Sequence, residues 1–260
     1  MIYDCGGILR SMVQADAALI GGTGIGALLG EMGGQPFCIV TPFGAVRGKL
    51  LSRWGRTLAI LQRHSPGHKL PPHKVPYAAL GAALGQLEVE FCLATAAVGS
   101  LRQDWPPGTM AACKGFIDMT GRQVTRFEGV PSHVDVTDSM SASTYLCQAA
   151  SIVGEPIHDG AVYIGMNGPR YETPAEIRMI KELGGDVVGM TASSEAIALA
   201  ENGVRYACLA VVTNMGAGIA SGFLTHEEVV DVMSEKGPKV LEILFNAVEM
   251  GLADSFTSPD

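Results

Sequence analysis

Two clusters in the chain carry residue types suited to holding an anion. The first is Gly21-Gly22-Thr23-Gly24-Ile25-Gly26-Ala27, which follows a short apolar run. Backbone amides in such a turn can face an anion, and the Thr23 hydroxyl adds a donor. Alone, the run reads equally well as a structural turn. The second is Arg63-His64. A guanidinium offers a planar fork of donors that matches phosphate geometry. In isolation the same pair also reads as surface side chains.

The glycine run also fits G-x-G-x-x-A, the dinucleotide fingerprint. Its context opposes that reading. A crossover helix would have to fit between Gly26 and Gly33-Gly34, which looks too short. The acid expected about 20 residues further on is missing, since that region reads Ala45-Val46-Arg47. No G-K-[ST] is present to mark a triphosphate loop. The six cysteines, at 5, 38, 92, 113, 147 and 208, form no C-x-x-C pair and no zinc-like spacing with histidine. Most lie in apolar runs and read as buried thiols in a reducing, cytoplasmic setting. No metal site is expected.

The elements that must position these residues alternate along the chain. Strands are predicted near 17–22, 57–62, 89–95, 109–118, 160–166, 186–190 and 205–212. Several are continuous apolar runs, as expected where helices cover both faces of a sheet. Helices are predicted near 75–87, 138–153, 173–183, 193–202 and 225–249. Thr173-Pro174-Ala175-Glu176 and Thr225-His226-Glu227-Glu228 read as capping boxes. Gly203 reads as a helix stop, and Gly237-Pro238 should kink or break the last helix. Long loops at 63–74 and 121–137 read as functional.

At 260 residues with 47% hydrophobic content, the chain suits one α/β domain. Its formal net charge of −8, with no run of Lys and Arg, opposes binding to a nucleic acid polymer. No apolar run approaches the roughly 20 residues of a membrane span, and no signal peptide is evident.

Five segments in register carry a resemblance. They are Gln62-Arg63-His64, Ala94 to Ser100, Gly168-Pro169-Arg170-Tyr171-Glu172-Thr173, Val188-Gly189-Met190-Thr191 followed by Ser194-Glu195-Ala196, and Val211-Val212-Thr213-Asn214 followed by Leu224 to Glu228. With the glycine loop, they resemble the trimeric purine nucleoside phosphorylase and methylthioadenosine phosphorylase family over residues 17–250. The resemblance implies a single-domain phosphorylase/hydrolase-like α/β fold, with a central mixed sheet partly closed into a barrel and flanked by helices. Residues 1–16 would be an N-terminal extension and 251–260 a C-terminal tail.

It further implies a phosphate site of Thr23, Arg63, His64, Ala96, Ala97 and Thr191. Nucleoside contacts would come from Tyr171, Glu172, Met190, Asn214, Met215, Gly216, His226 and, lent to a neighbouring subunit, His133. Asn214, Glu172 and His64 would be catalytic. Glu172 matches an acid that accepts from N1–H, and Asn214 an amide that contacts O6 and N7. Members built for 6-aminopurines typically carry Ser and Asp there, so this pair implies 6-oxopurine nucleosides. His226 matches a contact to a ribose 5′-hydroxyl. The implied molecule is a homotrimer using inorganic phosphate as co-substrate and no cofactor. Some positions depart from the family: Ala96 stands where Asn or Thr is usual, the 75–80 helix lacks its Asn and Arg, and Asp138-Ser139-Met140-Ser141 lacks Pro-Tyr. An S-methyl-5′-thioinosine phosphorylase, a nucleosidase and a nucleoside-binding paralogue are the alternatives.

Overall fold

A computed structural model describes residues 14–219 and 226–254. Nine strands are present: β1 (Ala17–Gly21), β2 (Gln35–Thr41), β3 (Gly44–Arg53), β4 (Arg56–Gln62), β5 (Phe91–Ser100), β6 (Met110–Asp118), β7 (His158–Gly165), β8 (Val187–Gly189) and β9 (Arg205–Met215). The helices are α1 (Ile25–Glu31), α2 (Tyr77–Gln86), α3 (Ser143–Val153), α4 (Pro174–Glu182), α5 (Ala192–Ala200) and α6 (His226–Asp254).

The strands form one mixed sheet in the order β2-β3-β4-β1-β5-β8-β7-β6-β9, and β9 pairs back onto β5. That last pairing closes β5, β8, β7, β6 and β9 into a five-stranded barrel, while β4, β3 and β2 extend from β1 as an open wing. Strand β1 runs parallel to both β4 and β5, and β5 runs parallel to β9. Alternation along β1 shows why its sequence is apolar throughout. Ala17 and Leu19 belong to a core shared with residues of α1, α3 and α6, whereas Ala18 and Ile20 belong to one shared with α2 and α5. Both faces are therefore dry, as a helix-covered sheet requires.

All the predicted strands and helices are present, and three further elements were not predicted. The β2–β3 hairpin sits at the edge and mixes Pro36, Arg47, Gly48 and Lys49 with buried Phe37, Ile39 and Val46, so its alternation is blurred. Its turn is fixed by Thr41, whose Oγ1 accepts from Phe43 N at 3.1 Å and donates to Gly44 O at 2.8 Å. Helix α1 occupies the segment that looked too short for one. It has seven residues and no side-chain cap, and it is held by burial of Ile25 and Leu29. The chain then enters antiparallel β2 at the sheet edge rather than crossing to a parallel neighbour of β1, so the dinucleotide reading fails on topology.

Helix α6 runs through Pro238 without the break that was one of the two expected outcomes there. Proline removes one helical N–H and crowds the carbonyl four residues back. Here Pro238 and Ser234 lie on the exposed face, where that carbonyl can be hydrated, while Met233, Val240, Ile243, Leu244 and Ala247 hold the other face in the core. The ordered fold also reaches past the boundaries at 17 and 250. Ala15 N donates to Leu87 O, the Asp16 carboxylate pairs with Arg56 at 3.0 Å, and Leu252 is buried. Among the described residues no helix is long and apolar enough to cross a membrane.

The Thr173 capping box forms as the sequence predicts. Thr173 Oγ1 accepts from Glu176 N at 3.2 Å, and Glu176 Oε2 accepts from Thr173 N at 2.7 Å. Thr225, which heads the other capping box, lies outside the described residues. Loss of such a cap typically costs about 1 kcal/mol. Thr173→Ala should therefore lower stability by about that amount in urea unfolding with an unchanged slope. An unchanged midpoint would show that the cap carries no weight.

Candidate active site

Arg63 follows β4, and its guanidinium is almost wholly enclosed. Nε and Nη2 donate to the two carboxylate oxygens of Glu195, at 2.5 and 2.7 Å, and Nη1 donates to Thr95 O at 2.7 Å. Tyr206 Oη donates to the same carboxylate at 2.7 Å. The fork expected to clasp phosphate is thus turned on Glu195, and three of the five N–H donors are used. Burial alone would lower the Arg63 pKa, but the Glu195 carboxylate outweighs it and holds the group fully charged. Gly22 permits this arrangement: a Cβ there would lie 2.4 Å from Arg63 Nη1 and 2.6 Å from Thr95 O. The Gly22 amide donates to Thr95 Oγ1 at 3.1 Å, so part of the glycine loop is structural.

His64 Nδ1 donates to Leu70 O at 2.8 Å. Burial, and then the charge of Arg63, pushes the imidazole pKa down to about 4. The ring is therefore neutral at physiological pH and presents a lone pair at Nε2. Thr23 and Thr191 have hydroxyls without partners among the described residues. Thr191 heads α5, and its amide and that of Ala192 donate to Tyr163 Oη at 3.0 and 3.3 Å, so two of the amides at the start of this helix are already committed.

Strand β8 runs antiparallel to the end of β5, which returns Met190 and Thr191 along the Ala96–Ala97 segment. Between β5 and β9 the register slips at Val98/Gly99, leaving Thr213 without an opposite partner before Gly99 pairs with Asn214. A bulge of this kind re-aims side chains, and here Thr213 and Asn214 both reach the same cavity. Asn214 Oδ1 accepts from Thr213 Oγ1 at 3.0 Å and Nδ2 donates to Met215 O at 3.1 Å, leaving one amide hydrogen uncommitted. Glu172 precedes the capped start of α4, and burial raises its pKa above the ordinary glutamate range. Gly168, at φ +64, lets the loop after β7 pass Met190, whose Sδ would lie 2.3 Å from a Cβ at that position.

These residues line a cavity of about 540 Å³. Of the expected set, the cavity gathers Thr23, Arg63, His64, Ala96, Ala97, Tyr171, Glu172, Met190, Thr191, Asn214 and Gly216. Met215 does not line it and contributes only its carbonyl, to Asn214. His133 is exposed on the loop between β6 and α3 and is not on the cavity wall of its own chain. His226 opens α6, and its side chain lies outside the described residues. Among the described residues no cluster of His, Cys, Asp or Glu could hold a metal ion.

Several positions on or behind the cavity wall were not singled out individually by the sequence. Val229 of α6, His68 and Lys69 also line the cavity. Arg122 braces it from behind: it donates to Met190 O at 2.8 Å, to Asn167 O at 2.6 Å and to Ser194 Oγ at 3.1 Å. Only its place in a long loop marked it. Glu195 was visible as part of a motif but without a role, because its partner is 132 residues away in sequence.

Known proteins place this geometry. The family model described as the phosphorylase superfamily matches residues 17–249. A probable 6-oxopurine nucleoside phosphorylase of Moorella thermoacetica is 42% identical over 81% of this chain and 83% of its own. A probable S-methyl-5′-thioinosine phosphorylase of Methanopyrus kandleri is 37% identical over 91% and 93%. Among solved structures, a methylthioadenosine phosphorylase from Schistosoma mansoni, in complex with adenine, superposes with a TM-score of 0.86 at 27% identity, covering 92% of this chain and 93% of that one. With nearly its whole length matched by the family model, the chain belongs to the phosphorylase superfamily.

Proposed function

We propose that the protein is a purine nucleoside phosphorylase, a pentosyltransferase that cleaves the glycosidic bond of inosine- or guanosine-type nucleosides with inorganic phosphate. The observation that carries this reading is the make-up of one cavity. Thr23, Arg63 and His64 come from the β1 and β4 side of β5, whereas Glu172, Asn214 and Gly216 come from the barrel side. Thr191 reaches the anion end from the barrel side, after β8, so an anion site and a purine site meet in one cavity beside β5.

In the proposed reaction the sugar becomes oxocarbenium-like as the base departs. A phosphate oxygen forms the new bond to C1′ as the C1′–N9 bond breaks, giving free purine and ribose 1-phosphate. The Thr23 and Thr191 hydroxyls and the remaining Arg63 N–H groups hold the phosphate, and its negative charge stabilises the cationic sugar. Asn214 donates its uncommitted hydrogen towards O6 or N7, where charge accumulates, and ionised Glu172 accepts from N1–H. Met190 lies under the ribose. The neutral His64 can accept from a protonated phosphate oxygen or a ribose hydroxyl. Catalysis is then positioning and electrostatics. Phosphate is the nucleophile, so the chemistry calls for no cofactor or metal.

A second reading has one observation in its favour. Val229 is buried on the cavity wall one helical turn after His226, and an apolar side chain there suits a 5′-methylthio group. S-Methyl-5′-thioinosine is the alternative substrate, with the same base and phosphate sites. We also take the working molecule to be a cytoplasmic homotrimer, with His133 reaching a neighbouring cavity. The exposed Val130 and Val134 beside it support a loop that packs on another surface.

The defining experiment follows base release from inosine and from 5′-methylthioinosine with and without phosphate. Release should require phosphate and yield the sugar 1-phosphate in equal amount. Undiminished release in phosphate-free buffer would make the protein a hydrolase. Base choice provides an independent check. Adenine lacks the N1 proton that Glu172 accepts and places an amino group at the Asn214 donor. Mismatched buried polar groups cost about 1–3 kcal/mol each, so inosine should be favoured over adenosine on the order of 100-fold. Asn214→Asp should shrink that ratio, since a carboxylate accepts from the 6-amino group. An unchanged ratio would remove Asn214 from base recognition.

A further inference from the structure

The phosphate end of the cavity has a charge deficit. Arg63 is the expected cation, yet Glu195 holds it in a bidentate pair whose side chains are 1% and 0% exposed, so the pair brings no net charge. His64 is neutral, with Nδ1 spent on Leu70 O. Thr23 and Thr191 supply dipoles only, and Ala96 supplies no polar group. Glu172, the one acid on the cavity wall among the described residues, is repulsive to an anion. The whole chain carries −8. A phosphate dianion entering this cavity needs a compensating positive charge that the assigned residues do not give.

Among the described residues, Lys69 is the only Lys or Arg besides Arg63 lining the cavity. It makes no ion pair or hydrogen bond among the described residues. Its backbone is held beside His64, since the next residue, Leu70, donates its N–H to His64 O at 2.9 Å and accepts from His64 Nδ1 at 2.8 Å. The loop between is compact: His68 N donates to Ser65 O at 3.1 Å, and the His68 ring packs at a tilt of 37° against His64 with centroids 4.5 Å apart. A lysine here is a strongly hydrated charge on a flexible stem whose foot is fixed at the phosphate end.

We infer that Lys69 is a phosphate-binding residue, supplying at the cavity mouth the net positive charge that the Arg63–Glu195 pair cancels. The inference rests on the phosphorylase reading for its ligand. Because Lys69 is solvent-accessible, its attraction for phosphate is screened by salt, unlike the buried contacts of Arg63. Its contribution therefore belongs to phosphate capture and falls as ionic strength rises.

The test compares the wild-type protein with Lys69→Met and Lys69→Arg. Phosphate binding is measured by calorimetry with inorganic phosphate alone, and phosphate and inosine KM are measured across a sodium chloride series. At low salt, Lys69→Met should weaken phosphate binding and raise phosphate KM about fivefold, the upper end for one solvent-exposed ion pair. Inosine KM should move less than twofold, the loss should shrink with added salt, and Lys69→Arg should restore most of the binding. Equal phosphate affinity in wild type and Lys69→Met, or a change confined to inosine KM, would overturn the assignment. If the wild type releases base without phosphate, the phosphorylase reading fails, and the calorimetric comparison still decides whether Lys69 binds the anion.

Discussion

A charge buried in protein is costly unless its partner is close and every remaining polar atom is satisfied. The Arg63–Glu195 pair meets the first through a two-pronged contact, and the Tyr206 hydroxyl and the Thr95 carbonyl go far towards the second, leaving two Arg63 N–H groups uncommitted. Its four residues come from the end of β4, the first turn of α5, strand β9 and strand β5, so one polar knot joins the open wing to the barrel. Removing one member of such a pair strands the other charge and costs about 3–5 kcal/mol. The knot also explains the bare glycine at 22, where any side chain would strike the guanidinium.

That knot governs what the cavity can do. Arg63 keeps two N–H groups for a ligand but contributes no excess charge. Its positive charge also helps to keep His64 neutral, which fixes that imidazole as an acceptor at Nε2. On the barrel side, the bulge before Asn214 and the cap after Glu172 set the two polar groups proposed to face a purine. Arg122 then fixes the backbone of Met190 between the two ends.

The sequence made much of this legible, for physical reasons that differ from one residue to another. Strands β1, β5 and β9 are continuous apolar runs because both faces are covered, and the Thr173 box is a local signal read directly. The edge hairpin and α1 were invisible because Arg47, Lys49 and Gly30 break the periodicity and tertiary packing overrides weak propensity. Thr23, Arg63, Glu172 and Asn214 were visible as residue types in register. What Arg63 would touch was not, because Glu195 lies far along the chain and nothing local ties the two. The bulge at Thr213 was equally hidden, since it belongs to the pairing of two strands rather than to either. Lys69 carries no local signal of its own; only closure of its loop on His64 places it at the cavity.

The central claim is that one cavity beside β5 holds an anion among Thr23, Arg63 and Thr191 at one end and reads a 6-oxopurine with Glu172 and Asn214 at the other. The most direct measurement is a crystal structure with phosphate and a C-nucleoside analogue of inosine that cannot be cleaved. The account predicts phosphate within hydrogen-bonding distance of Thr23, Arg63 and Thr191, with purine N1 on Glu172 and O6 or N7 on the Asn214 amide. A purine lying over Arg63 and His64, or phosphate bound outside this cavity, would contradict it.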